Sequence, residues 1–255
     1  MPRVSPRSFL ILFAVAVLLT TAVVRGWSDD EQRAASATAA ADQGNSEAGK
    51  KDADLIRLDP KAPLWIDKVR KRVVMVGKVC LREGQLEMFA CPEGTKEHES
   101  VLSVPVVSEM VHAALLAVGA RQGTPVEFAP EYKSATGSEI DVSLYWTDES
   151  GKRRSAWAQD WVQDASTGKS LKHPWVFAGS RFWLDEQTGK QSYLANYGEL
   201  ICVSNFSSAM LDLPIESSDK AGQLLFTAYT EHIPPLDTPV TIVLTPKRAK
   251  PAEKK

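Results

Sequence analysis

Three turns of one design punctuate the middle of this chain and limit what it can fold into. They read Asp148-Glu-Ser-Gly-Lys152, Asp164-Ala-Ser-Thr-Gly-Lys169 and Asp185-Glu-Gln-Thr-Gly-Lys190. An Asp side chain can bond the backbone as it turns, and a Gly can take the positive φ that such tips require. The first turn lies between EIDVSLYW and RRSAWAQDW, the third between RFWLD and QSYLANY. Short runs rich in β-branched and aromatic residues, closed by tips of this kind, predict hairpins. LICVSN, LLFTAYTE and PVTIVLTP add later strands. The triplet Gly168-Lys169-Ser170 imitates the end of a phosphate-binding loop, but Gln163 stands where that loop needs glycine. A nucleotide site is therefore not expected.

Upstream, VVMVGKVCL (73–81) and QLEMFAC (85–91) predict a further hairpin across Glu83-Gly84, with Val79 opposite Met88 and Val76 opposite Cys91. One helix stands out. Val107, Met110, Val111, Ala114, Leu115 and Val118 share a face, with Ser108 placed to cap its start and Gly119 to end it. A shorter helix is expected through SSAMLDL (207–213). Together these predict an α+β, mostly β fold: an antiparallel sheet or sheets with one main helix packed on the sheet.

The ends read differently from this middle. Residues 1–26 carry Arg3, Arg7 and Arg25, no acid, and the apolar run SFLILFAVAVLLTTAVV (8–24), the pattern of a signal peptide or an N-terminal anchor. Residues 27–54 predict a disordered acidic linker, because after Trp27 they hold no Leu, Ile, Val or Phe to bury. Residues 55–246 form the expected β-rich domain, and 247–255 a basic disordered tail. The net charge of −2 is then +3, −4, −5 and +4 in chain order, so no bulk positive charge exists to bind nucleic acid. The expected location is exported, either periplasmic or secreted, with membrane contact only through residues 8–24 if they are not cleaved.

Chemistry-bearing residue types concentrate in Cys91-Pro-Glu93-Gly-Thr-Lys96-Glu97-His98-Glu99, with His112 on the helix beyond. A single divalent metal would use Cys91, His98 and His112, with Cys80 as a further donor, although the spacings match no standard module. A thiol nucleophile at Cys91 would need His98 or His112 as its base and a third group to orient that base. Glu93, Glu97 and Glu99 offer carboxylates for acid–base work. Against all three stands a loop built only to fold. No spacing suits an iron–sulfur cluster, and no catalytic residue can be named.

Three cysteines leave one over when paired. In the expected hairpin Cys80 and Cys91 are offset by about 13 Å, so free thiols are expected, with a bridge to Cys202 as the alternative. Trp146, Trp157, Trp161, Trp175 and Trp183 crowd one stretch. They are expected to fill a core, the alternative being an exposed aromatic platform for a sugar or peptide.

FACPEGTKEHESVL (89–102), WVFAGS (175–180), ELICVSNFSSAMLDLPI (199–215), TEHIPP (230–235) and TPVTIVLTP (238–246) resemble the YdjY-like domain family of uncharacterised bacterial proteins, over roughly residues 65–246. The resemblance implies no activity that transfers to any residue. The ferredoxin-type cysteine runs attributed to some relatives are absent from this sequence. The reading that follows is an exported, non-catalytic binding or accessory module of the cell envelope, whose partner is an envelope protein or glycan. The alternative is a metal- or thiol-dependent enzyme centred on the Cys91–His98 loop.

Overall fold

A computed structural model describes residues 54–217 and 225–247. The expected signal or anchor (1–26), nearly all of the linker (27–54) and nearly all of the tail (247–255) lie outside these residues. The chain opens with strands β1 (Leu55–Arg57), β2 (Leu64–Asp67) and β3 (Arg72–Val79). Next come β4 (Met88–Pro92), β5 (Ser100–Val104) and helix α1 (Ser108–Ala117). After the helix follow β6 (Glu139–Thr147), β7 (Arg153–Trp157), β8 (Val162–Asp164), β9 (Trp175–Phe177), β10 (Phe182–Leu184) and β11 (Gln191–Tyr193). The last strands are β12 (Ile201–Cys202), β13 (Leu211–Asp212), β14 (Phe226–Ala228) and β15 (Pro239–Pro246).

Eight of these strands close into a barrel in the order β3-β15-β6-β9-β13-β12-β4-β5, sealed by pairing of β5 back onto β3. The fold is mostly β with one α-helix among the described residues, as expected, but its centre is this closed barrel and not a sheet covered by a helix. Two seams, β12–β13 and β4–β5, are parallel; the other six are antiparallel. β3, β6 and β15 are its long staves. Val73, Met75 and Val79, Ile140, Val142 and Leu144, and Val240, Ile242 and Leu244 are buried at alternate positions along them, as the two-residue period of a strand dictates. Closure hangs on Gly77. A Cβ there would overlap the Ser103 carbonyl oxygen and lie 2.6 Å from Val104 Cγ1, so only glycine lets β3 approach β5.

The hairpin expected across Glu83-Gly84 does not form. β3 pairs with β2, β15 and β5, while β4 pairs with β5 and β12. The chain between them is held elsewhere: Arg82 donates through Nε to Ile233 O (3.1 Å) and through Nη2 to Thr230 O (3.2 Å), and Leu86 N–H donates to Phe226 O. Those distant carbonyls carry the chain across the barrel instead of turning it back. The short helix expected at 207–213 is replaced by a turn and β13, because Ala209 O and Met210 O accept from Ser180 and Gly179. Sideways bonding of this kind uses the carbonyls that a helix would need.

The three Asp…Gly-Lys turns form as predicted. Asp148, Asp164 and Asp185 each accept backbone N–H bonds within their own turn, and Gly151, Gly168 and Gly189 have φ of 79°, 67° and 67°. They cap the β6–β7 hairpin, the end of β8 and the separate two-stranded ribbon β10–β11. Helix α1 buries Val111, Ala114 and Leu115 and packs against β2, β3 and the 3₁₀ turn Leu194–Tyr197. Gly119 follows it at φ 95°, as expected. Ser108 does not cap it: its hydroxyl donates to Ala195 O (2.7 Å), tying the helix to that 3₁₀ turn.

Candidate functional site

The Cys91–His98 segment leaves β4 and turns through a 3₁₀ helix, Glu97–Glu99, into β5. Parallel pairing sets Cys91 opposite Ser103, and the thiol is fully buried. The loop is stitched by its own groups: the Thr95 hydroxyl donates to Pro92 O (2.5 Å) and Gly94 N–H donates to Glu97 Oε1. His98 points outward, its side chain 76% exposed, with Nε2 3.8 Å from Glu99 Oε2. His112 lies elsewhere, on α1, half-buried between Phe177 and Tyr193 with ring centroids 4.9 and 5.4 Å away. Its Nδ1 is 2.8 Å from the Tyr193 hydroxyl, which donates to Gly179 O (3.0 Å). With the phenol proton spent there, the imidazole N–H is the donor to Tyr193. Burial holds the His112 pKa below its ordinary value, against the opposing pull of Gly179 O and Glu109.

Cys91, His98 and His112 therefore occupy three separate settings. Among the described residues no group of three or more His, Cys, Asp or Glu side chains is arranged to hold a metal ion. All three cysteines are free. Burial, with Cys91 and Glu97 nearby, pushes the Cys80 thiol up to about 12, and Cys80 Sγ donates to Ser100 O (3.0 Å). Burial also raises the Cys91 thiol and lifts Cys202 well above the ordinary range. Thiols held protonated in this way are poor nucleophiles.

What the loop does bring together is a cation hub. Lys96 Nζ sits 3.3 Å from Glu99, 3.3 Å from Glu199 and 3.7 Å from Glu87, and 4.8 Å above the centre of the Phe206 ring. Burial disfavours the ammonium, but Glu199, Glu99 and Glu87 outweigh it and hold the lysine pKa above its usual value. The Lys96 stem lies against Gly198, where a Cβ would come 2.5 Å from Lys96 Cδ. Three separate stretches of chain thus meet on one side chain. The sequence marks Lys96 only by its place among Glu93, Glu97 and Glu99.

A second buried polar centre lies on β13. Asp212 Oδ1 accepts from Leu213 N–H (2.8 Å) and Asn205 Nδ2 (3.1 Å), while Asp212 Oδ2 is buried without a bond of good geometry. Asn205 is saturated: its Oδ1 also accepts from Ser217 N–H (2.7 Å) and the Tyr132 hydroxyl (3.1 Å), and its Nδ2 also reaches Leu213 O (3.2 Å). Burial raises the Asp212 carboxyl to about 7, despite the bonds from Asn205 and Leu213 and the nearby Phe206 N–H.

The family model for the YdjY domain matches residues 64–245. The chain belongs to the YdjY domain family. No curated protein and no solved structure matches the chain. The YdjY match opens on the first residue of β2 and stops one residue short of the end of β15, so the family unit contains every barrel strand, α1 and the β10–β11 ribbon. Two of the quoted segments converge in this YdjY domain, residues 89–102 supplying Lys96 and Glu99 and residues 199–215 supplying Glu199 and Phe206. Both hold the fold together at the hub.

The surface is uneven. Among the described residues, eleven large hydrophobic side chains are exposed; five of them (Leu116, Phe182, Trp183, Leu184, Tyr197) lie on α1, the ribbon and the 3₁₀ turn that runs on from β11, and Val107 directly precedes α1. These elements are joined: α1 contacts the 3₁₀ turn, Glu109 N–H donates to Asn196 Oδ1 (3.1 Å), and Phe182 packs on Tyr193 at 5.1 Å. The tryptophans divide along the same line. Trp161 and Trp175 are fully buried and Trp146 packs edge-on against Trp161, as a core filling predicts, but Trp183 is 53% exposed.

Proposed function

We propose that this YdjY domain is an exported, non-catalytic binding module of the cell envelope, and that its contact surface is the corner made by α1, the 3₁₀ turn Leu194–Tyr197 and the β10–β11 ribbon. One observation carries the reading: five of the eleven exposed large apolar side chains of the described residues lie on those joined elements, and a sixth, Val107, directly precedes α1. Water-exposed Trp, Phe, Leu and Tyr side chains held on a stiff frame are what a protein or glycan partner buries. The apolar run 8–24 supports export, and the neutral thiols and exposed His98 favour binding over catalysis.

Site-specific photo-crosslinking tests the proposal. A photoreactive phenylalanine analogue at Tyr197, in the full chain exposed to envelope fractions of its source cells, is expected to give a discrete adduct. The same probe at Tyr145, on a barrel stave, is expected to give none. Equal labelling from the two positions, or no adduct at Tyr197, would overturn it.

A further inference from the structure

The ribbon carries a second kind of surface besides its apolar faces, namely the edge of β10. Among the described residues β10 pairs only with β11, and residues 181–184 are all exposed. Leu194 N–H donates to Arg181 O and Asp185 N–H donates to Lys190 O, so positions 181 and 185 turn their backbone groups toward β11. By strict alternation Trp183, opposite Ser192, does the same, while Phe182 and Leu184 direct theirs outward. Natural edges are usually blunted by lysine, proline or a bulge. β10 reads Phe-Trp-Leu and has none of these in its three residues.

We propose that two copies of this chain pair through the outer edges of β10, antiparallel about a two-fold axis at Trp183, to form a four-stranded sheet β11-β10-β10-β11. The geometry of the segment is self-complementary about that residue. Phe182 falls opposite Leu184 of the second copy and exchanges two backbone bonds with it, and symmetry doubles these to four. Trp183 meets its own counterpart at a non-hydrogen-bonded position, where side chains approach most closely. Arg181 falls opposite Asp185 of the other copy, once on each side of the tryptophan pair, and all of these lie on one face. Asp185 is fixed in place by its turn, where it accepts from Gln187 N–H, Thr188 N–H and the Thr188 hydroxyl.

The charge match selects this register. A slip by one residue would pair an outward-bonding position with an inward-bonding one and move each apolar side chain to the wrong face. Three residues a strand make a small contact, below the size of standard stable interfaces, so the pairing depends on concentration. It rests on the reading that this corner is a contact surface, and it fills the edge of the ribbon while leaving Tyr197, Val107 and Leu116 for another partner.

The test is sedimentation of the purified full chain over a range of concentrations, with oxidative crosslinking of single-cysteine variants. The expected result is a reversible dimer. Arg181→Glu, which sets an acid against Asp185 of the other copy on each side of the axis, should raise the concentration needed by about tenfold or more. Trp183→Cys should form a disulfide-linked dimer under mild oxidation, since opposed Cα atoms at non-hydrogen-bonded positions, about 4.5 Å apart, fall within bridging range. Gln191→Cys on the far strand should not. A chain that stays monomeric throughout, or a dimer indifferent to Arg181→Glu that links equally through positions 183 and 191, would overturn the proposal. Monomeric protein that still gives the Tyr197 adduct would end self-pairing and leave the envelope-partner reading standing; a dimer without that adduct would do the reverse.

Discussion

The β3–β5 seam and the outer edge of β10 are the same kind of object handled in opposite ways. At the seam, Gly77 removes a side chain so that two strands meet, and the last free edge of the barrel disappears. At β10, a Phe-Trp-Leu strand stands in a ribbon of two with its outer backbone groups unpaired among the described residues. The sequence chemistry is similar in both places, apolar and strand-forming, but one edge is spent on stability and the other remains available to a partner. The difference separates a barrel closed on itself from a ribbon that projects with an open edge, and the proposed function assigns recognition to the second.

The comparison is best attacked by making the same change in both regions. Trp175 is fully buried, packs on Phe89 and donates through Nε1 to Cys202 O at 2.7 Å. Trp175→Ala is expected to cost about 3–5 kcal/mol of stability in denaturant unfolding, through the lost burial and the cavity left behind. Gly77→Ala should follow at about 1–3 kcal/mol, the usual cost of forcing atoms into a packed site, and should expose the β3 and β5 amides together. A Gly77→Ala protein as stable as the parent would mean that the seam is not what closes the barrel.

Asp212 gives the scaffold a pH signature. Its folded pKa of about 7 lies above the ordinary carboxylate range, so between those values the folded state holds a proton that the unfolded chain has released. The contribution from this group is fully present in acid and declines as pH rises from about 4 to about 7, with no further change above. Asp212→Asn should flatten that limb of the stability–pH curve; an unaltered slope would place the effect in other groups. The smallest effect belongs to the ribbon. Trp183→Ala should alter stability by no more than about 0.5 kcal/mol, as expected of an exposed side chain, while weakening association. A large loss of stability there would erase the distinction between the two regions.

How much of this was legible follows from the range of the interactions. The three Asp…Gly-Lys turns could be read because donor, acceptor and glycine lie within a few residues of one another. Helix α1 was legible from its period. Barrel closure was not, because β3 does not pair with the strand that follows it, β4, and Arg82 between them bonds Thr230 and Ile233, partners more than a hundred residues away. In the loop at 91–99 the sequence shows which residue types are close, but not which of them point inward. Cys91 is buried and His98 exposed, while Lys96 gathers Glu87, Glu99 and Glu199. The tryptophans share a stretch of sequence, and nothing local separates the buried Trp175 from the exposed Trp183.

Residue-resolved amide hydrogen exchange on dilute full chain compares the two edges directly. Cys80 N–H, which donates to Val101 O across the seam, is predicted to exchange only on global unfolding, whereas Phe182 and Leu184 N–H should exchange freely and gain protection as protein concentration rises. Protection of both β10 amides in the dilute monomer, or a Cys80 amide that exchanges as fast as they do, would contradict the division between closed scaffold and open edge.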